Sequence, residues 1–227
     1  MPSWLTTLSV VSLTLAVGCA AWIALDVRRR PQHMAVMNVV WPVTALFGSL
    51  VAVWFYRRHG RPGVDEEPSM AVSVGKGALH CGAGCTLGDI IAETAAFLVP
   101  AVLVPLGYPG FWSERMYAVW VLDFILAFAL GILFQYHAIA PMQGLGLRDG
   151  LVAALKADTL SLVAWQVGMY GLMAVLVFGV FRPAFGTQPD AASPVFWFAM
   201  QWAMLAGLAT AYPMNWWLVR RGIKERM

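Results

Sequence analysis

Charge is what this sequence holds least of. Only 12 % of its 227 residues are Asp, Glu, Lys or Arg, against 60 % hydrophobic residues. Soluble domains carry about twice that charged fraction, and a water-soluble fold could not cover so much apolar surface. The formal net charge of +3 is too small and too scattered for nucleic-acid binding. Three cysteines, Cys19, Cys81 and Cys85, are too few for a disulfide framework. The sequence has no G-x-S-x-G, no H-E-x-x-H, no phosphate-binding glycine loop and no haem-attachment motif, so neither a hydrolytic nor a nucleotide-driven enzyme is indicated. Repeats of fixed period are absent too. The N-terminus lacks a basic n-region, so its apolar stretch reads as a retained span rather than a removed signal.

What the chain does have is long apolar runs. A spanning helix needs about 20 mostly apolar residues, and six stretches qualify, at about 4–25, 36–56, 82–106, 116–140, 157–181 and 194–219. The expectation is an all-α polytopic bundle of six transmembrane helices forming a single domain over 1–227, embedded in the lipid bilayer. Six crossings put both termini on one face. Ten of the fifteen basic residues then share that face, namely Arg57, Arg58, Arg61, Lys76, Arg148, Lys156, Arg220, Arg221, Lys224 and Arg226. The positive-inside rule makes it cytoplasmic. Arg28, Arg29 and Arg30, which follow the first span, oppose that assignment and fall on the other face with Arg115 and Arg182.

The densest chemistry lies in "HCGAGCTLGDIIAET", His80 to Thr94. From Gly77 to Leu106 the chain would measure about 45 Å as one helix, against about 30 Å of hydrocarbon. Its glycines therefore suggest a Gly-rich interfacial or re-entrant segment ahead of the third span. In a glycine-rich turn His80 and Cys81 could share an ion with Cys85. On one regular helix they would sit 100° apart and could not. Beyond Gly82, residues four apart share a face. Gly84, Gly88, Ala92 and Ala96 form a small-residue packing stripe, and Cys85, Asp89 and Glu93 form a polar one beside it.

Three soft ligands in His-Cys-x3-Cys suit copper(I) or zinc. A fourth ligand could come from His137, Met142, Asp89 or Asp158, with His137 favoured. The crossing parity brings Gln135 and His137, then Lys156, Asp158 and Ser161, to the same face as this motif. Asp89, Glu93 and Asp158 against the single base Lys156 suit a cation or proton path. Asp123 falls nearer the opposite face, in a different neighbourhood. His33, Met34 and Met37 also fall there, where methionine most often serves packing.

"RPQHMAVMNVVWPVTAL", "HCGAGCTLGDIIAE", "GILFQYHAIAPM", "KADTLSLVAWQVGM" and "YPMNWWLVRRGIKERM" together resemble an uncharacterised bacterial membrane family, domain of unknown function 4396. The resemblance covers nearly the whole chain and implies a multi-pass protein of the bacterial inner membrane. It supplies no activity. The residues favour binding, transport or sensing of a copper or zinc ion. The alternatives are a non-catalytic accessory or assembly protein with a structural polar cluster, working as a homo-oligomer or with another membrane protein, or a membrane thiol-redox protein.

Overall fold

The computed structural model describes residues 1–64 and 67–225, the side chains of 141 and 142 excepted. Among the described residues there is no strand. Six helices are long and apolar enough to cross a membrane: α1 (Ser3–Arg29), α2 (Met37–Gly60), α3 (Met70–Leu98), α4 (Arg115–Gln143), α5 (Leu147–Phe185) and α6 (Pro194–Arg220). The chain is an integral membrane protein of all-α class. α3 is the most buried of the six helices and α1 the least.

The glycine-rich stretch is not a loop. α3 is one continuous helix from Met70 onward, capped by Ser69, whose hydroxyl accepts a hydrogen bond from the Val72 amide. Gly75, Gly77, Gly82, Gly84 and Gly88 all lie within it. Each glycine costs an isolated helix about 1 kcal/mol relative to alanine, but here the missing side chains admit neighbours. A Cβ on Gly84 would stand 2.8 Å from the Gly131 Cα of α4, and one on Gly88 would stand 2.5 Å from the Ala127 amide nitrogen. A Cβ on Gly82 would run into the Trp165 ring of α5. Close helix contact thus replaces the propensity that glycine withholds. Ala92 is buried on this helix, and Ala96 packs with Leu103, Ala118 and Val119. The helix therefore occupies 70–98 rather than 82–106. It stops before Pro100, which has no amide hydrogen to continue the ladder.

α2 departs from the expected straight span. Ser49 has φ 44° and ψ −124°, outside the helical region. The Trp41 and Tyr56 rings lie 5.4 Å apart and the Trp41 and Phe55 rings 5.9 Å apart. Fifteen residues of straight helix would separate Trp41 from Tyr56 by about 22 Å. The two halves of α2 therefore form a helical hairpin with Ser49 at its tip. Arg61, just beyond the second half, bonds Asp26 near the end of α1 through Nε at 2.9 Å and Nη2 at 2.8 Å. Tyr56 donates to the same carboxylate at 2.9 Å. Both ends of the hairpin thus lie beside the last turn of α1.

This hairpin changes the parity. Ser12 of α1 bonds Gln201 of α6 at 2.8 Å. The residues just after α1, Gln32 to Met34, share a cavity with Lys76 of α3, next to Gly77, which faces Lys224 just after α6. α1 and α6 therefore run in the same direction, and the N-terminus lies at the end where α6 begins. Within the bundle the N-terminus and the end of α6 thus lie at opposite ends, because α2 returns to the end it started from. Arg28, Arg29, Arg30, Arg57, Arg58, Arg61, Lys76, Arg148, Lys156, Arg220, Arg221 and Lys224 now gather at one end. Only Arg115 and Arg182 lie at the other. Arg226 lies outside the described residues.

Candidate functional site

At the basic end the chain turns back after α6. Gly222 takes φ 69°, and the Ile223 amide bonds the Leu218 carbonyl at 3.0 Å. A left-handed glycine after the last turn is the usual way to reverse a helix end. The reversal carries Lys224 into the bundle, where only 3 % of it stays exposed. Its ammonium donates to Asp158 Oδ1 at 2.6 Å and to Asn215 Oδ1 at 2.8 Å. The Asn215 amide donates to Ser161 Oγ at 2.6 Å. A Cβ on Gly77 would lie 3.7 Å from Lys224 Cε, so this glycine leaves room for the buried side chain. The base expected to meet these acids, Lys156, is exposed instead. Lys224 occupies the position that crossing parity had given to Lys156.

One turn further along α3 sits His80, fully buried, its ring edge-on to Phe134 at 6.1 Å. Neither ring nitrogen makes a hydrogen bond of good geometry among the described residues. Its charged neighbours are Asp158 and Lys224. Cys81 and Cys85 are buried and free, four residues apart and so on nearly one face of α3. Because the segment is helical, His80 and Cys81 diverge by 100°, and the three-ligand turn expected from the sequence does not form. His137 lies exposed, bonding the Leu133 carbonyl of its own helix at 2.8 Å. On α4 the buried polar group in this region is Gln135. Met142 lies outside the described side chains. Among the described residues no three of His, Cys, Asp and Glu converge as a metal cage.

Deeper along α3 come Asp89 and Glu93, both buried. Asp123 of α4 lies within electrostatic reach of both, so it belongs to this neighbourhood rather than apart from it. All four carboxylate oxygens of Asp89 and Asp123 lack a hydrogen-bond partner among the described residues. Glu93 feels Arg115, at the start of α4. Tyr170, whose hydroxyl donates to the Trp120 carbonyl at 2.9 Å, borders the same group. From His80 to Glu93 the line extends about 20 Å along the helix axis. It covers most of an apolar layer about 30 Å thick.

The family model described as Domain of unknown function (DUF4396) matches residues 72–224. The chain belongs to this family. No curated protein and no solved structure matches it. The DUF4396 segment takes in the entire polar line, from Lys224 and Asp158 to Glu93 and Asp123. It leaves out α1 and the α2 hairpin.

Sequence reasoning did not reach Lys224, Asn215 or Asp123 as members of the site. Gly222 two residues past the last helical turn was the available signal for Lys224. For Asp123, the signal was its burial in an apolar run facing a small-residue stripe.

Proposed function

We propose that this DUF4396 protein carries protons or small cations along the buried ionisable line of α3. The observation behind the proposal is the pair Asp89 and Asp123, fully buried and without hydrogen-bond partners. Ionisable groups inside a membrane are costly and stay where they pair or line a path. These two have no protein partner among the described residues, so a mobile proton or cation is the partner that accounts for them. The Lys224–Asp158 pair would close the path at the basic end.

The bundle end holding twelve basic side chains is the cytoplasmic one under the positive-inside rule. On this reading the C-terminus is cytoplasmic and the N-terminus lies across the bacterial inner membrane. The α2 hairpin is then re-entrant, dipping from the cytoplasmic face and returning to it.

The test is flux into liposomes reconstituted with the protein, read with an entrapped pH-sensitive dye under an imposed potential and, separately, under a sodium gradient. Wild type is expected to pass one ion, and Asp89→Asn and Asp123→Asn to abolish that passage. Wild-type flux equal to that of empty liposomes under both gradients would sink the proposal. It would favour a structural accessory role.

A second reading keeps copper(I) or zinc as the cation. The spacing of Cys81 and Cys85, four residues apart on α3 and so on nearly one face, favours it, since two sulfur ligands suit a soft ion. Metal analysis of wild type against Cys81→Ser/Cys85→Ser decides it, and equal metal content in both would end this reading.

A further inference from the structure

A cavity of about 350 Å³ lies between α1, the tip of the α2 hairpin, α3 and α6. Its walls are almost wholly apolar, and two aromatic side chains, Phe47 and Trp197, contribute to them. Three polar residues, Thr86, Gln201 and Asp89, are among its lining. Thr86 donates to the Gly82 carbonyl at 2.7 Å. The Gln201 amide donates to the Leu46 carbonyl at 2.7 Å and accepts from Ser12 at 2.8 Å. Both are satisfied within the protein. Asp89 alone is not. It is fully buried, and neither carboxylate oxygen has a partner among the described residues.

From this arrangement we infer that the cavity is a binding site for a small organic cation, an amine or quaternary ammonium with an apolar body. The chemistry is complementary at each point. An apolar cavity of this size buries a small ligand's hydrocarbon. Aromatic faces attract a cation brought near them. The buried Asp89 carboxyl, with neither oxygen bonded among the described residues, supplies the acceptor for the ammonium. Entry fits the same class. Val17, on the cavity wall, is 59 % exposed on the outer side of α1, so the cavity adjoins lipid, where amphiphilic cations concentrate. The inference rests on the proposed cation path, because Asp89 belongs to both, and it names the substrate class for that path. Five of the twelve wall residues, Leu13, Ala16, Val17, Leu46 and Phe47, come from α1 and α2, outside the matched family segment.

The experiment is equilibrium binding of benzyltrimethylammonium to the purified full chain in detergent, with neopentylbenzene as its uncharged carbon isostere. Saturable binding of the cation and none of the isostere is expected. Asp89→Asn should weaken binding by about a hundredfold or more. Met200→Trp, which fills the cavity and leaves Asp89 in place, should abolish it while the protein remains monodisperse. Absence of saturable binding to wild type, equal affinity in Asp89→Asn, or equal binding of the isostere would each overturn the inference. Failure here alongside Asp89-dependent ion flux would leave the path standing without this substrate. Asp89-dependent binding without flux would keep the site and end the transport reading.

Discussion

The Lys224 ammonium lies 2.6 Å from the Asp158 carboxylate, with side-chain exposures of 1 % and 0 %. A buried ion pair gains little over an apolar pair of similar shape, but removing one partner strands the other charge and costs about 3–5 kcal/mol. Lys224→Met alone should therefore lower the thermal midpoint sharply in detergent. Lys224→Met combined with Asp158→Leu should recover much of the loss. A double variant as unstable as the single one would mean that the hydrogen bonds to Asn215, rather than the charges, hold this corner.

Ser49 is the sole described non-glycine residue with positive φ, and it forms the hairpin tip. Its φ and ψ of 44° and −124° suit glycine and strain any residue with a Cβ, at a cost of about 1–3 kcal/mol. Ser49→Gly should therefore raise the thermal midpoint, and Ser49→Val, with its branched Cβ, should lower it. If Ser49→Gly destabilised the protein, the serine hydroxyl would be making a contribution larger than the backbone strain.

The helical class was legible because apolar runs of spanning length have few physical alternatives. The path of α2 was not. Its composition matches a spanning helix, and the reversal depends on one residue that sequence reads as ordinary. Its consequence reached further, since one hairpin moves the start of α1 to the opposite end and brings Arg28, Arg29 and Arg30 to the basic end, while the later loops keep the shared face that parity gave them. The glycines of α3 misled for a related reason. Propensity argues for a loop, and only the facing Gly131, Ala127 and Trp165 turn those glycines into contacts. The acids were visible as a stripe, whereas Asp123 and Lys224 depended on tertiary placement.

Gly88 sits against the α4 backbone, 2.5 Å from where its Cβ would meet the Ala127 amide nitrogen. Backbone cannot move aside as a side-chain tip can, so Gly88→Val should prevent stable folding, seen as aggregation on size exclusion. Gly171 offers the contrast, with nothing within 4 Å of its would-be Cβ. Gly171→Ala should be neutral or stabilise by up to about 1 kcal/mol. Equal tolerance of both substitutions would show that the α3–α4 seam is looser than these distances imply.

At the opposite face Arg182 bonds Glu114 through two nitrogens, one at 3.0 Å, and its guanidinium covers the Phe178 ring at 4.7 Å. The guanidinium holds the Glu114 carboxyl below the usual carboxylate range. A carboxyl depressed in the folded state stabilises above its unfolded value, near about pH 4.3, and loses that contribution as pH falls through its folded value. The midpoint difference between wild type and Glu114→Gln should thus favour wild type at neutral pH and shrink toward about pH 3. A difference that stayed constant with pH would assign the contact to hydrogen bonding rather than charge.

The hairpin makes an exclusive statement about sidedness. Cys19, Cys81 and Cys85 are buried, so single cysteines introduced at the surface can be read with a membrane-impermeant maleimide in sealed vesicles of known orientation. If α2 crossed the membrane, His33→Cys and Pro62→Cys would label from opposite faces, and Ser3→Cys would label with Pro62→Cys. With the hairpin, His33→Cys, Pro62→Cys and Arg221→Cys should all label from the cytoplasmic face. Ser3→Cys, Gly110→Cys and Gln188→Cys should label from the other. The pair at 33 and 62 carries the decision, since both flank α2 and nothing else in the chain alters their relation. Opposite labelling of those two would restore a straight second span and remove the hairpin tip from the wall of the Asp89 cavity.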